Sequence, residues 1–199
     1  IYTSVNTLSL HDALPIPVIA DIHFQPKYVF AAIEAGCAGV RVNPGNIDSK
    51  AHLKLIAEAA RDHRISIRVG ANSGSVRPNL IRELRKQGIP EEELMAEALV
   101  KSAMEECAKL EEFGFQDIKV ALKSSGVINT VKACRMFAAR TDYPLHLGIT
   151  EAGTPGRGIV KSAVGIGTLL LEGIGDTLRV SLTGDPADEV VTGRRILEA

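Results

Sequence analysis

The sequence has little of several features that would point to a particular class of function. Its 23 Lys and Arg residues nearly balance its 24 Asp and Glu residues. The resulting formal net charge of −1 gives no general attraction to nucleic acid or to an anionic membrane surface. No apolar run reaches about 20 residues, the length that a membrane-spanning helix needs. We therefore expect a cytoplasmic protein that has neither nucleic acid nor a membrane as its partner.

Cysteine is also scarce. The three cysteines, Cys37, Cys107 and Cys134, are far apart in the sequence, and no two of them have C-x-x-C spacing. This pattern argues against a disulfide framework and against a metal site built from this chain alone. We expect each cysteine to be a small buried apolar side chain within a helix, in a reducing compartment.

What the sequence does contain is a regular alternation of short apolar runs and helix-like periodicity, from Pro17 to the last residue. With 199 residues, 45% of them apolar, it is long enough for one core of ordinary size. The predicted strands are Val18–Ala20, Gly39–Val42, Ile65–Val69, Asp117–Leu122, Pro144–Ile149 and Leu178–Leu182. The predicted helices are Pro26–Ala35, Asp48 (as cap) to His63, Asn79–Gln87, Pro90 to about Phe113, Val127–Arg140, Gly158 to about Glu172, and one that starts at Asp185-Pro186.

Strands joined by helices predict parallel pairing with right-handed crossovers, which fits a doubly wound sheet or a barrel. The barrel is favoured because polar or charged clusters follow every strand instead of gathering at one switch point. Six βα units are two fewer than a closed (β/α)₈ barrel contains. The predicted fold is therefore α/β, a truncated TIM-type barrel over residues 17–199.

Residues 1–16 show neither a strand period nor a helix period. They also lack the basic start, apolar middle and cleavage site of a signal peptide. The run from Thr7 to Ile16 resembles translated sequencing-adapter sequence. We predict a non-native segment, with an irregular N-terminal arm as the alternative.

Four cations lie near the ends of four different predicted strands: Arg41, Arg68, Lys123 and Arg179. In a parallel barrel these ends surround one mouth, where the four side chains would form a positive ring. Arg holds phosphate oxygens in a bidentate way, and a diphosphate suits such a ring better than a single carboxylate does. The alternative is that each cation pairs with a nearby carboxylate, of which Asp21, Glu151, Asp176 and Asp185 are the candidates.

Glu151 is the acid of most interest, because it follows a strand and lies next to a glycine-containing loop. A carboxylate among cations can hold a substrate hydroxyl or move a proton, although an N-cap or a salt bridge would also explain it. His23 is either a ligand contact or a satisfied imidazole at the barrel rim. Asn43 and Asn72 are suited to bind hydroxyls or phosphate oxygens.

The segments at these strand ends resemble a known family, the 4-hydroxy-3-methylbut-2-enyl diphosphate synthases. Members of this family are iron–sulfur reductases that act late in the methylerythritol phosphate route to isoprenoids. The resemblance covers about Pro17 to Ala199, and five segments in order carry it: Ala20–Phe24, Arg41–Ile47, Ile67–Ser75, Leu145–Gly153 and Glu172–Leu182.

The resemblance implies a barrel that binds 2-C-methyl-D-erythritol 2,4-cyclodiphosphate, whose ring is opened and dehydroxylated with two electrons from ferredoxin or flavodoxin. It also implies a homodimeric complete enzyme and a [4Fe-4S] cluster, held by three Cys and one Glu in a separate C-terminal domain. Glu151 would be the acid/base group nearest the departing oxygen. By motif position, the substrate site would be lined by Asp21, Arg41, Asn43, Arg68, Asn72, Lys123, Glu151, Arg179 and Ser181.

This sequence departs from the family pattern, because the cluster domain and the first two barrel strands are absent and the three cysteines do not occupy ligand positions. We therefore expect the chain to be a fragment that binds no metal and is inactive alone. One alternative is another phosphate- or pterin-binding barrel, such as a dihydropteroate synthase-like protein or a Schiff-base aldolase that uses Lys119 or Lys123. The other is a non-catalytic barrel.

Overall fold

The computed structural model describes residues 16–22, 25–43, 46–47 and 49–199, and these alternate between parallel β-strands and α-helices as the sequence predicts. The strands are β1 (Ile19–Asp21), β2 (Gly39–Val42), β3 (Ser66–Asn72), β4 (Ile118–Lys123), β5 (His146–Leu147) and β6 (Thr177–Leu178). The helices are α1 (Pro26–Glu34), α2 (Lys50–Asp62), α3 (Pro78–Lys86), α4 (Leu94–Glu111), α5 (Val127–Ala138), α6 (Pro155–Leu171) and α7 (Pro186–Glu198).

The chain divides into two compact units. The first contains the described residues up to Val69 together with Glu106–Ile118. In it, β1, β2 and β3 pair side by side in parallel, with Ile19 opposite Gly39 and Gly39 opposite Ser66. All four residues of β2 are buried, as expected of a parallel strand covered on both faces.

The second unit contains Gly70–Glu105 and Lys119–Ala199. In it, β5 pairs in parallel with β6, and a single parallel bridge joins Val120 of β4 to Leu145. Helix α6 closely approaches the segment that follows β5, since a Cβ added at Gly165 would lie 2.7 Å from the Ile149 side chain. This close packing supports the strand ends that carry the candidate site.

Six units of an eight-unit barrel predict that the first and last strands each have an unpaired edge. Among the described residues, β1 has only β2 as a strand partner and β6 has only β5, which agrees with this expectation. In the same part of the chain, no helix is both long and apolar enough to cross a membrane.

The starts of α6, α4 and α2 differ from the prediction. Helix α6 begins at Pro155, three residues before the predicted Gly158. Helix α4 begins at Leu94, because Pro90 and the acidic residues after it form a separate turn in which the N–H groups of Glu93 and Leu94 donate to the Pro90 carbonyl oxygen. Helix α2 has Ser49 as its N-cap. Asp48, the predicted cap, lies outside the described residues, as does most of the segment 1–16. By contrast, Asp185 caps α7 as predicted and accepts a hydrogen bond from the Ala187 N–H at 2.9 Å.

All three cysteines are buried free thiols, as predicted. Cys107 and Cys134 lie in α4 and α5. The prediction that each cysteine lies within a helix is wrong for Cys37, which follows the Gly36 turn at the end of α1 and precedes β2. The positive φ of 83° at Gly36 ends the helix one turn before the cysteine.

Candidate functional site

In the first unit, three of the predicted site residues form one cross-strand row. Asp21 lies opposite Arg41, and Arg41 lies opposite Arg68, so the three side chains project from the same face of the sheet. Arg41 is buried, and its Nη1 donates to Asp21 Oδ1 at 3.0 Å. The row thus contains two adjacent guanidinium groups beside the Asp21 carboxylate. Adjacent like charges favour the binding of an anion near them.

Asn43 adds an acceptor to this row. It comes two residues after Arg41 and therefore projects from the same side of the chain. Its Oδ1 atom is buried and has no hydrogen-bond partner among the described residues. Buried polar atoms are nearly always hydrogen-bonded in folded proteins, so this oxygen is suited to accept a hydrogen bond from a ligand.

In the second unit, a cavity of about 710 Å³ opens at the ends of β3 and β4 and at the loop after β5. Its walls are mostly hydroxyl and amide groups, with one carboxylate. Two of the predicted site residues, Asn72 and Glu151, line it. The other lining residues are Ser73, Gly74, Ser75, Met95, Ser124, Ser125, Gly126, Asn129 and Thr150.

Glu151 is the carboxylate of this cavity, and its backbone is strained. It is exposed and has a φ of 49°, in the left-handed region, which costs a residue with a Cβ roughly 1–2 kcal/mol. The preceding Thr150 is held in place, because its N–H donates to the Ser124 carbonyl oxygen at 3.3 Å. Strained backbone of this kind is typical of functional sites, where it fixes the direction of a side chain.

Lys123, the last residue of β4, lies directly over Gly148. A Cβ added to Gly148 would be 2.9 Å from Lys123 Nζ and 2.7 Å from the Arg179 carbonyl oxygen. Only a residue without a side chain leaves room at this position. Gly148 thus leaves the space through which the Lys123 side chain runs.

We expect the Gly148→Ala substitution to destabilise the protein and to displace the Lys123 ammonium group. Forcing an extra carbon into a packed position typically costs about 1–3 kcal/mol, and the added Cβ meets backbone that cannot move away easily. Urea unfolding measures the loss of stability.

The matched control is Gly167→Ala, at a half-buried position of the same unit in α6. An added Cβ at Gly167 has no atom within 4 Å, and alanine in a helix interior is favoured over glycine by about 0.5–1 kcal/mol. This control should therefore be neutral or stabilising. Equal unfolding midpoints for the two variants would contradict the close approach at Gly148.

Arg179 and Ser181 follow β6. The Arg179 backbone N–H donates to the Leu147 carbonyl oxygen at 2.9 Å, whereas its side chain is more than half exposed and its Nε lies 3.4 Å from Glu189 Oε2. Glu189 is also held by the Leu182 N–H at 2.9 Å. Ser181 is half-buried. The sequence offered four carboxylates as partners for the cations, and Glu189 was not among them.

The four predicted cations fall two in each unit, Arg41 and Arg68 in the first and Lys123 and Arg179 in the second. Their convergence on one mouth stays a prediction. Pairing with a carboxylate is real for two of them: Arg41 pairs with Asp21, and Arg179 with Glu189. His23 lies outside the described residues, so its role stays a prediction as well.

Sequence reasoning missed the neutral side chains of the cavity. Ser124, Ser125 and Asn129 carry no charge and lie outside the five family segments, and Ser73 and Ser75 lie within the segment Ile67–Ser75 but carry no charge, so none of the five was assigned a role. One signal was available: Ser124-Ser125-Gly126 follows a strand in the same way as the clusters that were selected.

The cysteines do not fit an iron–sulfur cluster. Burial raises the pKa of Cys107 to about 12, with further increases from the nearby Glu111 and Glu106 carboxylates. Burial also raises the pKa of Cys134 to about 12, although Lys123 lowers it. Cluster ligands must be thiolates. Within the described residues, no group of three or more His, Cys, Asp or Glu side chains is placed to hold a metal ion.

The known proteins that this chain resembles in sequence belong to one family. Residues 3–194 match the family model described as the GcpE TIM-barrel domain. Three curated relatives are named 4-hydroxy-3-methylbut-2-en-1-yl diphosphate synthase (flavodoxin). The relative from Acidothermus cellulolyticus is 58% identical over 188 residues, covering 93% of this chain and 46% of the relative. The relative from Streptomyces griseus is 56% identical and covers 92% of this chain and 46% of the relative. The relative from Corynebacterium glutamicum is 52% identical and covers 93% of this chain and 48% of the relative.

The chain thus spans about half the length of the curated relatives that it matches. A solved structure titled "Native KDPGal structure" covers 94% of this chain at 13% identity with a TM-score of 0.32, too low to support a conclusion. The family model confirms the predicted fold class, α/β with a TIM-type barrel.

Proposed function

The chain belongs to the family of the GcpE TIM-barrel domain, and on that premise we propose that it is the substrate-binding part of a 4-hydroxy-3-methylbut-2-enyl diphosphate synthase. The complete enzyme would open the ring of 2-C-methyl-D-erythritol 2,4-cyclodiphosphate by two-electron reduction and remove a hydroxyl group. The product would be 4-hydroxy-3-methylbut-2-enyl diphosphate. The observation that carries the proposal is the cross-strand row of Asp21, Arg41 and Arg68, beside the buried unpartnered Oδ1 of Asn43.

We assign the diphosphate to the cations of the strand ends. Arg41 and Arg68 are adjacent in register, and their guanidinium groups are suited to hold phosphate oxygens in a bidentate way. Lys123 and Arg179 would complete the site. Asn43 Oδ1 accepts hydrogen bonds but cannot donate them, so it is suited to a hydroxyl of the ligand rather than to a phosphate oxygen.

We assign proton transfer to Glu151. Its carboxylate lies in a cavity of hydroxyl and amide groups, which can hold the hydroxylated carbon atoms of the substrate. The cavity also contains the Asn72 amide, which both donates and accepts hydrogen bonds. Glu151 would give a proton to the departing oxygen, and the strained backbone would keep its carboxylate aimed into the cavity.

We propose that the electron donor is flavodoxin or ferredoxin and that the complete enzyme is a homodimer. The [4Fe-4S] cluster would supply the electrons at the substrate, and it would be bound outside these 199 residues because the buried cysteines do not fit it. We place the enzyme in the cytoplasm, since buried free thiols are typical of a reducing compartment.

Isothermal titration of this chain with 2-C-methyl-D-erythritol 2,4-cyclodiphosphate tests the proposal. We expect saturable 1:1 binding that weakens as salt is raised, with much weaker binding of the uncharged tetrol 2-C-methyl-D-erythritol. Absence of binding at millimolar ligand would contradict the assignment. Trapping of a lysine adduct by borohydride in the presence of a carbonyl substrate would support the Schiff-base aldolase instead.

A further inference from the structure

One wall of the cavity in the second unit is fixed by a hydroxyl group that does not itself line the cavity. The turn Ser124–Gly126 forms this wall and follows β4 directly. Thr130, one turn into α5, is only 1% exposed and lies behind it. The Thr130 Oγ1 accepts the Ser124 N–H at 3.0 Å and is 3.2 Å from the carbonyl oxygens of both Ser124 and Gly126.

In these contacts the Thr130 hydroxyl group both accepts and donates hydrogen bonds. The oxygen accepts from one end of the turn, and its single proton is shared between two carbonyl oxygens of the same turn. Within the turn, the Gly126 N–H donates to Ser124 Oγ at 3.2 Å. The backbone of the turn is therefore held from the helix side, which leaves the Ser125 side chain exposed.

The Ser124–Gly126 turn also holds the segment next to it, which contains Thr150 and Glu151. The Ser124 carbonyl oxygen, which receives the Thr130 proton, also accepts the Thr150 N–H at 3.3 Å. Thr150 precedes Glu151, whose left-handed φ of 49° is unfavourable unless its neighbours fix it. A continuous chain of hydrogen bonds thus connects the Thr130 hydroxyl to the backbone that aims the Glu151 carboxylate.

We propose that Thr130 is a positioning residue for this cavity, which sets the place of the Ser124–Gly126 turn and, through the Thr150 N–H, the direction of Glu151. The role of Thr130 in placing the backbone follows from the hydrogen bonds alone. The effect of Thr130 on ligand binding rests on the proposed function, in which the cavity holds the hydroxylated part of a cyclic diphosphate.

The test compares Thr130→Val, which keeps the shape and removes the hydroxyl, with Thr130→Ser, which keeps the hydroxyl. The control Thr141→Val removes a hydroxyl near the end of α5 that bonds only the Phe137 carbonyl oxygen, at 3.4 Å. The first measurement is hydrogen exchange at the Thr150 amide, with the Arg179 amide as an internal reference in the same unit. The second is the affinity for 2-C-methyl-D-erythritol 2,4-cyclodiphosphate.

We expect Thr130→Val to speed exchange at Thr150 by about 10-fold, the size expected for one buried hydrogen bond, with Arg179 unchanged. Affinity should fall by a similar factor. Thr130→Ser should restore both quantities, and Thr141→Val should leave both unchanged.

Unchanged exchange at Thr150 in a folded Thr130→Val variant would overturn the proposal. If Thr130→Val does not fold, Thr130→Ala removes the same hydroxyl without placing a methyl group against the two carbonyl oxygens. Failure of both variants to fold would also overturn it, because Thr130 would then be needed for the fold and not for the turn. If the unaltered chain binds no cyclic diphosphate, the proposed function fails while the exchange measurement still decides the role of Thr130.

Discussion

The Glu151→Gln substitution is expected to lower kcat by about 10²–10⁴-fold, the usual contribution of a general acid or base, in a complete synthase that carries this barrel. Glutamine keeps the size of the side chain and much of its hydrogen bonding, but it cannot give or take a proton. Substrate affinity should change little. The other polar side chains that line the cavity are hydroxyl and amide groups, none of which can replace Glu151 as a proton donor at neutral pH.

Steady-state kinetics and substrate titration of the same variant show whether Glu151 transfers a proton or positions the substrate. The matched control is Glu83→Gln, which neutralises an exposed carboxylate on α3 that does not line the cavity. It should leave kcat and KM unchanged. If Glu151→Gln raises only KM and leaves kcat intact, Glu151 positions the substrate and the acid/base assignment is wrong.

The second large effect is expected for Arg68→Ala, which should weaken binding of the cyclic diphosphate about 10–100-fold. This range corresponds to the roughly 1.5–3 kcal/mol of a hydrogen bond to a charged group. Arg68 lies opposite the buried Arg41, so its loss leaves one guanidinium where two were adjacent. The contact is made in the ground state and in the transition state alike, so KM should rise while kcat changes little.

Titration calorimetry at two salt concentrations checks this result. Removing one phosphate contact should reduce the salt dependence of binding as well as the affinity. Arg195→Ala, an exposed cation in the last turn of α7, is the control and should bind normally. A loss of turnover without a loss of affinity in Arg68→Ala would remove Arg68 from the phosphate site.

The alternation of strands and helices could be predicted because its signals are local. The buried run Gly39–Val42 and the Asp185-Pro186 cap each specify their element without information from the rest of the chain. The lengths of β5 and β6 could not be predicted, since a strand extends only as far as its partner pairs with it. The first was predicted over Pro144–Ile149 and pairs regularly at His146–Leu147. The second was predicted over Leu178–Leu182 and pairs at Thr177–Leu178, so it begins one residue before the predicted range.

The candidate site was predictable to the extent that charge marks it. Asp21, Arg41 and Arg68 attracted attention as charged residues at strand ends, and the register places them in one row. Thr130 gave no such signal, because a threonine inside an amphipathic helix resembles any other. Its role depends on the turn that it faces, six residues earlier in the chain, and on a second loop at Thr150.

We propose that the strand ends of this chain bind a cyclic diphosphate through one set of cations. A crystal structure of the chain with 2-C-methyl-D-erythritol 2,4-cyclodiphosphate tests it most directly. We expect the two phosphates within hydrogen-bond distance of Arg41, Arg68, Lys123 and Arg179, with the hydroxylated carbon atoms in the cavity beside Glu151. Phosphates bound elsewhere, or four cations that remain dispersed around the bound ligand, would contradict it.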